Sequence, residues 1–195
     1  MNKNAILIYD SETGFTKKYV DSMERRIPEL EIITLKGLNK KILKDKDYIF
    51  FGSHLRGNKI IGIDKFLKLY KYIEDKDIFI FVTGIEPITS EKKDNVITIN
   101  GLNFYHVRLY LLPGGVDVSK MKPIKQKMLK FGLKMASKKD PSLKANEMIF
   151  NQSVDMTNTD LLKPMLDVYH LLKVRNNAKD AEIILDKTKK IEEND

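Results

Sequence analysis

The chain has 195 residues, 42% of them hydrophobic and 32% charged, with a formal net charge of +8 and no cysteine. That is one domain's worth of chain, able to bury roughly 70% of the surface its unfolded form exposes, and its composition is that of a soluble globular protein. Disulfides, thiolate metal sites and cysteine nucleophiles are excluded, and three histidines (His54, His106, His170) argue against an imidazole-built zinc site, so no metal is expected.

Ala5 to Tyr9 is an apolar run ending at Asp10 and reads as a strand buried on both faces. A helix is predicted from about Gly14 to Arg26, where Tyr19, Val20 and Met23 recur at helical spacing and Pro28 closes the pattern. Glu31 to Leu35 is a second strand and Asp47 to Gly52 a third. Phe66, Leu67, Tyr70 and Ile73 predict a helix over Asp64 to Glu74. Asp77 to Thr83 is the most hydrophobic strand; Val107 to Leu112 is the fifth, stopped by Pro113-Gly114-Gly115. The stretch from Ile88 to Phe104 has no clean helical period. Two later helices are predicted, about Pro123 to Ser137 and about Asp160 to Lys173. Residues 1–175 are expected to form the domain, with 176–195 a charged tail or a peripheral helix. Short buried strands alternating with helices imply a doubly wound, five-stranded parallel sheet of order 2-1-3-4-5 with helices on both faces.

The first crossover carries Ser11-Glu12-Thr13-Gly14-Phe15-Thr16, with three hydroxyls in six residues and a glycine for close backbone approach. Hydroxyls, backbone N–H groups and a helix N-terminus together suit a phosphate monoester. The loop has no lysine, so it is not a P-loop, and it lacks the glycines of a dinucleotide fingerprint. An ordinary N-cap is the alternative. Position favours the phosphate, because a doubly wound sheet places its ligand at this crossover.

Ser11-x-Thr13-Gly14-x-Thr16 after an apolar strand resembles the FMN phosphate loop of flavodoxins. The resemblance implies FMN, with its ring between the loops after the third and fourth strands. Those loops read Ser53-His54-Leu55-Arg56-Gly57 and Thr83-Gly84-Ile85. Electron-carrying flavodoxins commonly stack an aromatic residue on the ring where this chain has Arg56. The stretch is instead similar to the menaquinone-dependent protoporphyrinogen oxidase branch of the flavodoxin domain. Arg56 would stabilise negative charge on the reduced ring or pair with a substrate carboxylate, or it is simply solvated. His54 would relay a proton, or it is a histidine bonded to backbone.

Eight lysines lie between Val118 and Asp140 with no acidic residue among them. Lys127, Lys130, Lys134 and Lys138 share one predicted helical face, and Ile124, Met128, Phe131 and Met135 share another. Such a helix suits an anionic membrane surface or an acidic partner, or packs its apolar stripe on the sheet while its lysines face water. Nucleic acid is not expected, because interleaved aromatics and known motifs are lacking. A basic insert after the fifth strand is again similar to the protoporphyrinogen oxidase branch, and the resemblance implies electrons passing from a carboxylate-bearing substrate through FMN to a quinone. An electron carrier docking on an acidic partner and a flavin-free interaction domain are the alternatives. A cytoplasmic protein is expected, peripheral at the inner face of the membrane if the lysines bind lipid.

Overall fold

The computed structural model describes residues 4–117, 126–127, 131 and 153–192. Its first unit, ending at Thr159, is organised by five parallel strands: β1 (Ala5–Tyr9), β2 (Leu30–Thr34), β3 (Tyr48–Arg56), β5 (Asp77–Gly84) and β6 (Arg108–Pro113). They lie in the order β2-β1-β3-β5-β6, while β4 (Lys59–Ile60) pairs antiparallel with the end of β3. This is the doubly wound order expected. The chain leaves β1 towards β2 on one side and returns to β3 on the other, so the switch point lies at the carboxyl ends of β1 and β3.

The strands are apolar on both faces because helices cover both. On one face Ile6, Ile8, Ile49, Phe51, Ile78, Ile80 and Val82 meet Leu43 of α2 (Lys40–Leu43), Ile63 and Phe66 of α3 (Ile63–Leu67) and Val96 of α4 (Ser90–Ile99). On the other, Phe50 stacks on Phe79 at 4.9 Å, and Phe81 lies 6.4 Å from Tyr19 of α1 (Phe15–Arg26). Every one of these side chains is fully buried.

Three expectations are corrected. The third strand does not stop at Gly52 but runs to Arg56, where a hairpin begins. The predicted helix over Asp64 to Glu74 is broken into α3 and a 3₁₀ turn at Tyr70–Tyr72. The break turns Tyr70 towards Tyr105, 4.6 Å between rings, and its hydroxyl accepts the His106 N–H. The patternless stretch contains α4, capped by Thr89 and followed by Gly101 at φ +63°. Only Val96 of α4 is buried, which is why no period showed.

After β6, β7 (Gly115–Val116) pairs antiparallel with β8 (Val154–Asp155). Of the helix predicted over Pro123–Ser137, in the insert between them, Gln126, Lys127 and Phe131 are described and helical, and the rest lies outside the described residues. The second unit, from Asp160, is dominated by α5 (Lys163–Glu192). That helix runs on through the charged 176–192 stretch, and Met165, Leu166, Tyr169 and Leu172 form its buried stripe.

Candidate functional site

The β1–α1 loop leaves the start of α1 without a side-chain cap. Gly14 stands at φ +93°, in the left-handed region, and a Cβ there would meet open space. No side chain caps it, and the first turn of α1 has no acidic residue. Of the N–H groups of Phe15, Thr16 and Lys17, which stand too near the helix start to have helical partners, that of Lys17 donates to Ser11 Oγ at 3.3 Å. The amides of Phe15 and Thr16 remain. Ser11 and Thr13 are part-exposed beside them.

Thr16 does not present its hydroxyl to this loop. The group is 2% exposed and lies 3.0 Å from Thr83 Oγ1, donating to the Ser53 carbonyl at 3.3 Å. Expected among the phosphate donors, it instead ties α1 to the carboxyl ends of β3 and β5. Its amide alone faces the loop.

Gly52, His54 and Arg56 alternate onto the α1 side of β3, while Ser53 and Leu55 point the other way. Ser53 Oγ donates to the Ile61 carbonyl, and Ile61 N–H to the His54 carbonyl, zipping the hairpin. Gly57 at φ +60° followed by Asn58 at negative φ fits a type II′ turn. His54 and Arg56 are therefore mounted on paired strand, not on a free loop. Both face Glu12, whose Oε2 is 3.5 Å from Arg56 Nη2 and 3.8 Å from His54 Nε2. Neither ring nitrogen of His54 has a hydrogen-bond partner. Burial lowers the His54 pKa below its usual value, against the raising effect of Asp10 and Glu12, and Arg56 lowers it further. The balance favours the neutral ring.

The second wall is the end of β5. Thr83 is buried and His54 is its register partner on β3. Gly84 packs against Leu55, and its carbonyl accepts the Gly114 N–H at 2.6 Å. Ile85 follows, part-exposed. Beyond it, the Lys92 ammonium of α4 is bonded to Glu86 Oε2, Asn58 Oδ1 and the Gly57 carbonyl. Asn100 at the far end of α4 accepts the Ile60 N–H and donates to the Asn58 carbonyl. Lys92 and Asn100 were not expected at the site. The sequence signal was Thr89-x-x-Lys92, a cap followed by a lysine where a capping box would place Glu or Gln.

The loop of Ser11, Glu12, Thr13, Gly14 and Phe15, the hairpin Ser53–Gly57 and the Thr83–Ile85 segment thus meet at one edge. Two shallow clefts lie elsewhere. One of about 430 Å³ is lined by Lys40, Lys41, Lys44, Tyr72, Asp75 and Lys76, and one of about 510 Å³ runs along β6. Among the described residues there is no cluster of His, Asp and Glu able to hold a metal ion and no helix long and apolar enough to cross a membrane.

A doubly wound parallel sheet with two walls facing each other at its switch point defines a domain of the α/β class. The chain belongs to the flavodoxin domain family, whose sequence profile matches residues 6–142. Such domains typically carry flavin and serve electron transfer. No curated protein matches this sequence. Among solved structures, it is similar to a flavodoxin from the domain Archaea, at 20% identity over 55% of this chain and 82% of that one, TM-score 0.42. Two-electron reduced Megasphaera elsdenii flavodoxin gives 18% identity, 55% and 84% coverage, TM-score 0.42. Trp repressor binding protein from Bacillus subtilis gives 10% identity, 56% and 84% coverage, TM-score 0.44.

Proposed function

We propose that this edge binds FMN and that the protein is a protoporphyrinogen oxidase-like oxidoreductase. It would take electrons from a carboxylate-bearing substrate and pass them to a quinone. The observation that carries the cofactor assignment is the start of α1, where two helix amides and an open left-handed glycine lie beside part-exposed Ser11 and Thr13, with no acidic residue in the turn. A phosphate dianion fits that donor set. Bound FMN supplies the redox chemistry.

The chain's own residues do the rest. Ser11, Thr13 and the Phe15 and Thr16 amides hold the phosphate. The β3 hairpin and Thr83–Ile85 flank the ring. Arg56, 62% exposed, receives a substrate carboxylate while sharing its charge with Glu12. Neutral His54 accepts a proton at Nε2 beside Glu12, which then stabilises the charged ring. Lys127, Lys130, Lys134 and Lys138 bring the protein to an anionic membrane surface, where a quinone is reached from the cytoplasmic side, and no nucleic acid is involved.

One observation favours a second reading. Arg56 already has Glu12 as a counter-ion, which suits a flavodoxin-type carrier that binds no carboxylate. Two measurements decide. FMN should bind stoichiometrically with quenched fluorescence, and the S11A/T13A variant should lose about tenfold or more in FMN affinity while riboflavin, lacking the phosphate, is unaffected. Protein that takes up no FMN would sink both redox readings. Anaerobic bleaching of the bound flavin by a porphyrinogen supports the oxidase; rapid exchange with a reductase but not with porphyrinogen supports the carrier.

A further inference from the structure

Helix α4 begins with a charge at the wrong end. A helix N-terminus favours carboxylates and disfavours cations, yet Lys92 is the third residue of α4, its amide bonded to the Thr89 cap. Its side chain is only 11% exposed. A lysine held there as a cation needs acceptors for all three N–H donors. Three oxygens supply them: Glu86 Oε2 at 2.6 Å, Asn58 Oδ1 at 2.6 Å and the Gly57 carbonyl at 3.3 Å. Glu86 belongs to the loop after β5, whereas Gly57 and Asn58 are the tip of the β3–β4 hairpin. One ammonium therefore joins the two walls. Asn100, 6% exposed, holds the same hairpin from the other end of α4, through the Ile60 N–H at 2.9 Å and the Asn58 carbonyl at 2.7 Å.

We infer that Lys92 is a positioning residue that locks the hairpin tip to the β5–α4 loop, so that the two walls flanking the flavin ring are set as one unit before any cofactor arrives. Calling that unit a flavin cleft rests on the FMN reading; the lock does not. A cleft ordered in advance loses little conformational freedom on binding, which favours affinity. It also fixes where the backbone dipoles and His54 sit relative to the ring.

The test uses the full chain without flavin and follows amide hydrogen exchange. In K92M, residues 57–61 and 85–89 should both exchange about tenfold faster or more, with residues 5–9 and 48–52 unchanged. K92R, which keeps the charge and its donors, should restore most of the protection. E86Q serves if K92M fails to fold, because Glu86 is half exposed and the hairpin contacts survive. Weakening that one end should speed exchange at residues 85–89. With FMN added, K92M should weaken FMN and riboflavin by the same factor and change the visible circular dichroism of the bound flavin. Faster exchange confined to one segment in K92M, or unchanged exchange at residues 85–89 in E86Q, overturns the lock. An unchanged flavin spectrum in a K92M protein that binds FMN normally overturns the positioning role. A wild-type protein that binds no flavin removes the FMN reading, and the exchange data still decide the lock.

Discussion

Among the described residues, His54 is the one with buried side-chain nitrogens left without a hydrogen-bond partner. Both its nitrogens lack hydrogen bonds while Glu12 stands 3.8 Å away, just beyond bonding range. Burial keeps the folded-state pKa below the 6.5 of a free imidazole. As pH falls through 6.5 the unfolded chain takes up a proton more readily than the folded chain does, so stability is lost on acidification. Between pH 7 and pH 5, urea unfolding of the wild type should therefore show a fall in stability that H54Q lacks; parallel curves would mean that His54 protonates freely in the fold. Sequence placed His54, Arg56 and Glu12 in the candidate set but not against one another. Their meeting depends on which face of β3 each occupies, and that parity follows only once the strand is known to continue past Gly52. Thr16 misled for the opposite reason. A hydroxyl pattern reports which groups are present, not which way they point, and this one is spent on Thr83 and Ser53 inside the fold.

Elements set where those side chains arrive. The β7–β8 ladder roots the insert directly on the first residue of α1. A Cβ on Gly115 would lie 2.4 Å from the Phe15 ring and 2.4 Å from the Val154 carbonyl. Phe15 is buried, and a strand carbonyl cannot move without opening the ladder, so neither neighbour yields easily. Tyr19 reinforces the junction by donating to the Pro113 carbonyl at 2.6 Å and accepting the Asn158 N–H at 3.0 Å. G115A should therefore cost about 1–3 kcal/mol, a fall of roughly 2–4 °C in Tm per kcal/mol for a chain of this length. Because Phe15 begins the phosphate loop's helix, FMN affinity should drop in the same variant; a Tm within a degree of wild type would show that the junction relaxes freely. None of this was readable beforehand. Two-residue strands leave no periodicity, and their partners are almost forty positions apart in the chain. The long strands were readable because burial on both faces makes each a continuous apolar run, and α1 because its buried stripe of Tyr19, Val20 and Met23 is complete. Helix α4 buries one residue and declares itself only by its cap.

At the scale of the molecule, fold and charge speak to different questions. Strand order follows from five apolar runs and the handedness of crossovers, and it puts the ligand edge at the switch point whatever the surface carries. The surplus of +8 is instead a statement about partners. It is concentrated in the insert, whose ends the β7–β8 ladder brings together, and Asp155 at that root is itself neutralised. Partial burial raises the Asp155 carboxyl, but the Lys18 ammonium and the Thr157 hydroxyl and N–H outweigh it and bring it to about 2. The root thus stays an ion pair across the physiological range, while the eight lysines between Val118 and Asp140 have no acidic residue among them to offset their charge. Each lysine near an anionic bilayer contributes about 1 kcal/mol, so reversing Lys127, Lys130 and Lys134 together should weaken binding by more than about 100-fold. Sedimentation with vesicles of mixed zwitterionic and acidic phospholipid should show wild-type binding that falls steeply with added salt and disappears in K127E/K130E/K134E, with FMN titration unchanged in that variant. Equal sedimentation with purely zwitterionic vesicles would remove the membrane from the reading. The lysines would then fall to the acidic redox partner, the docking mode that the carrier alternative requires.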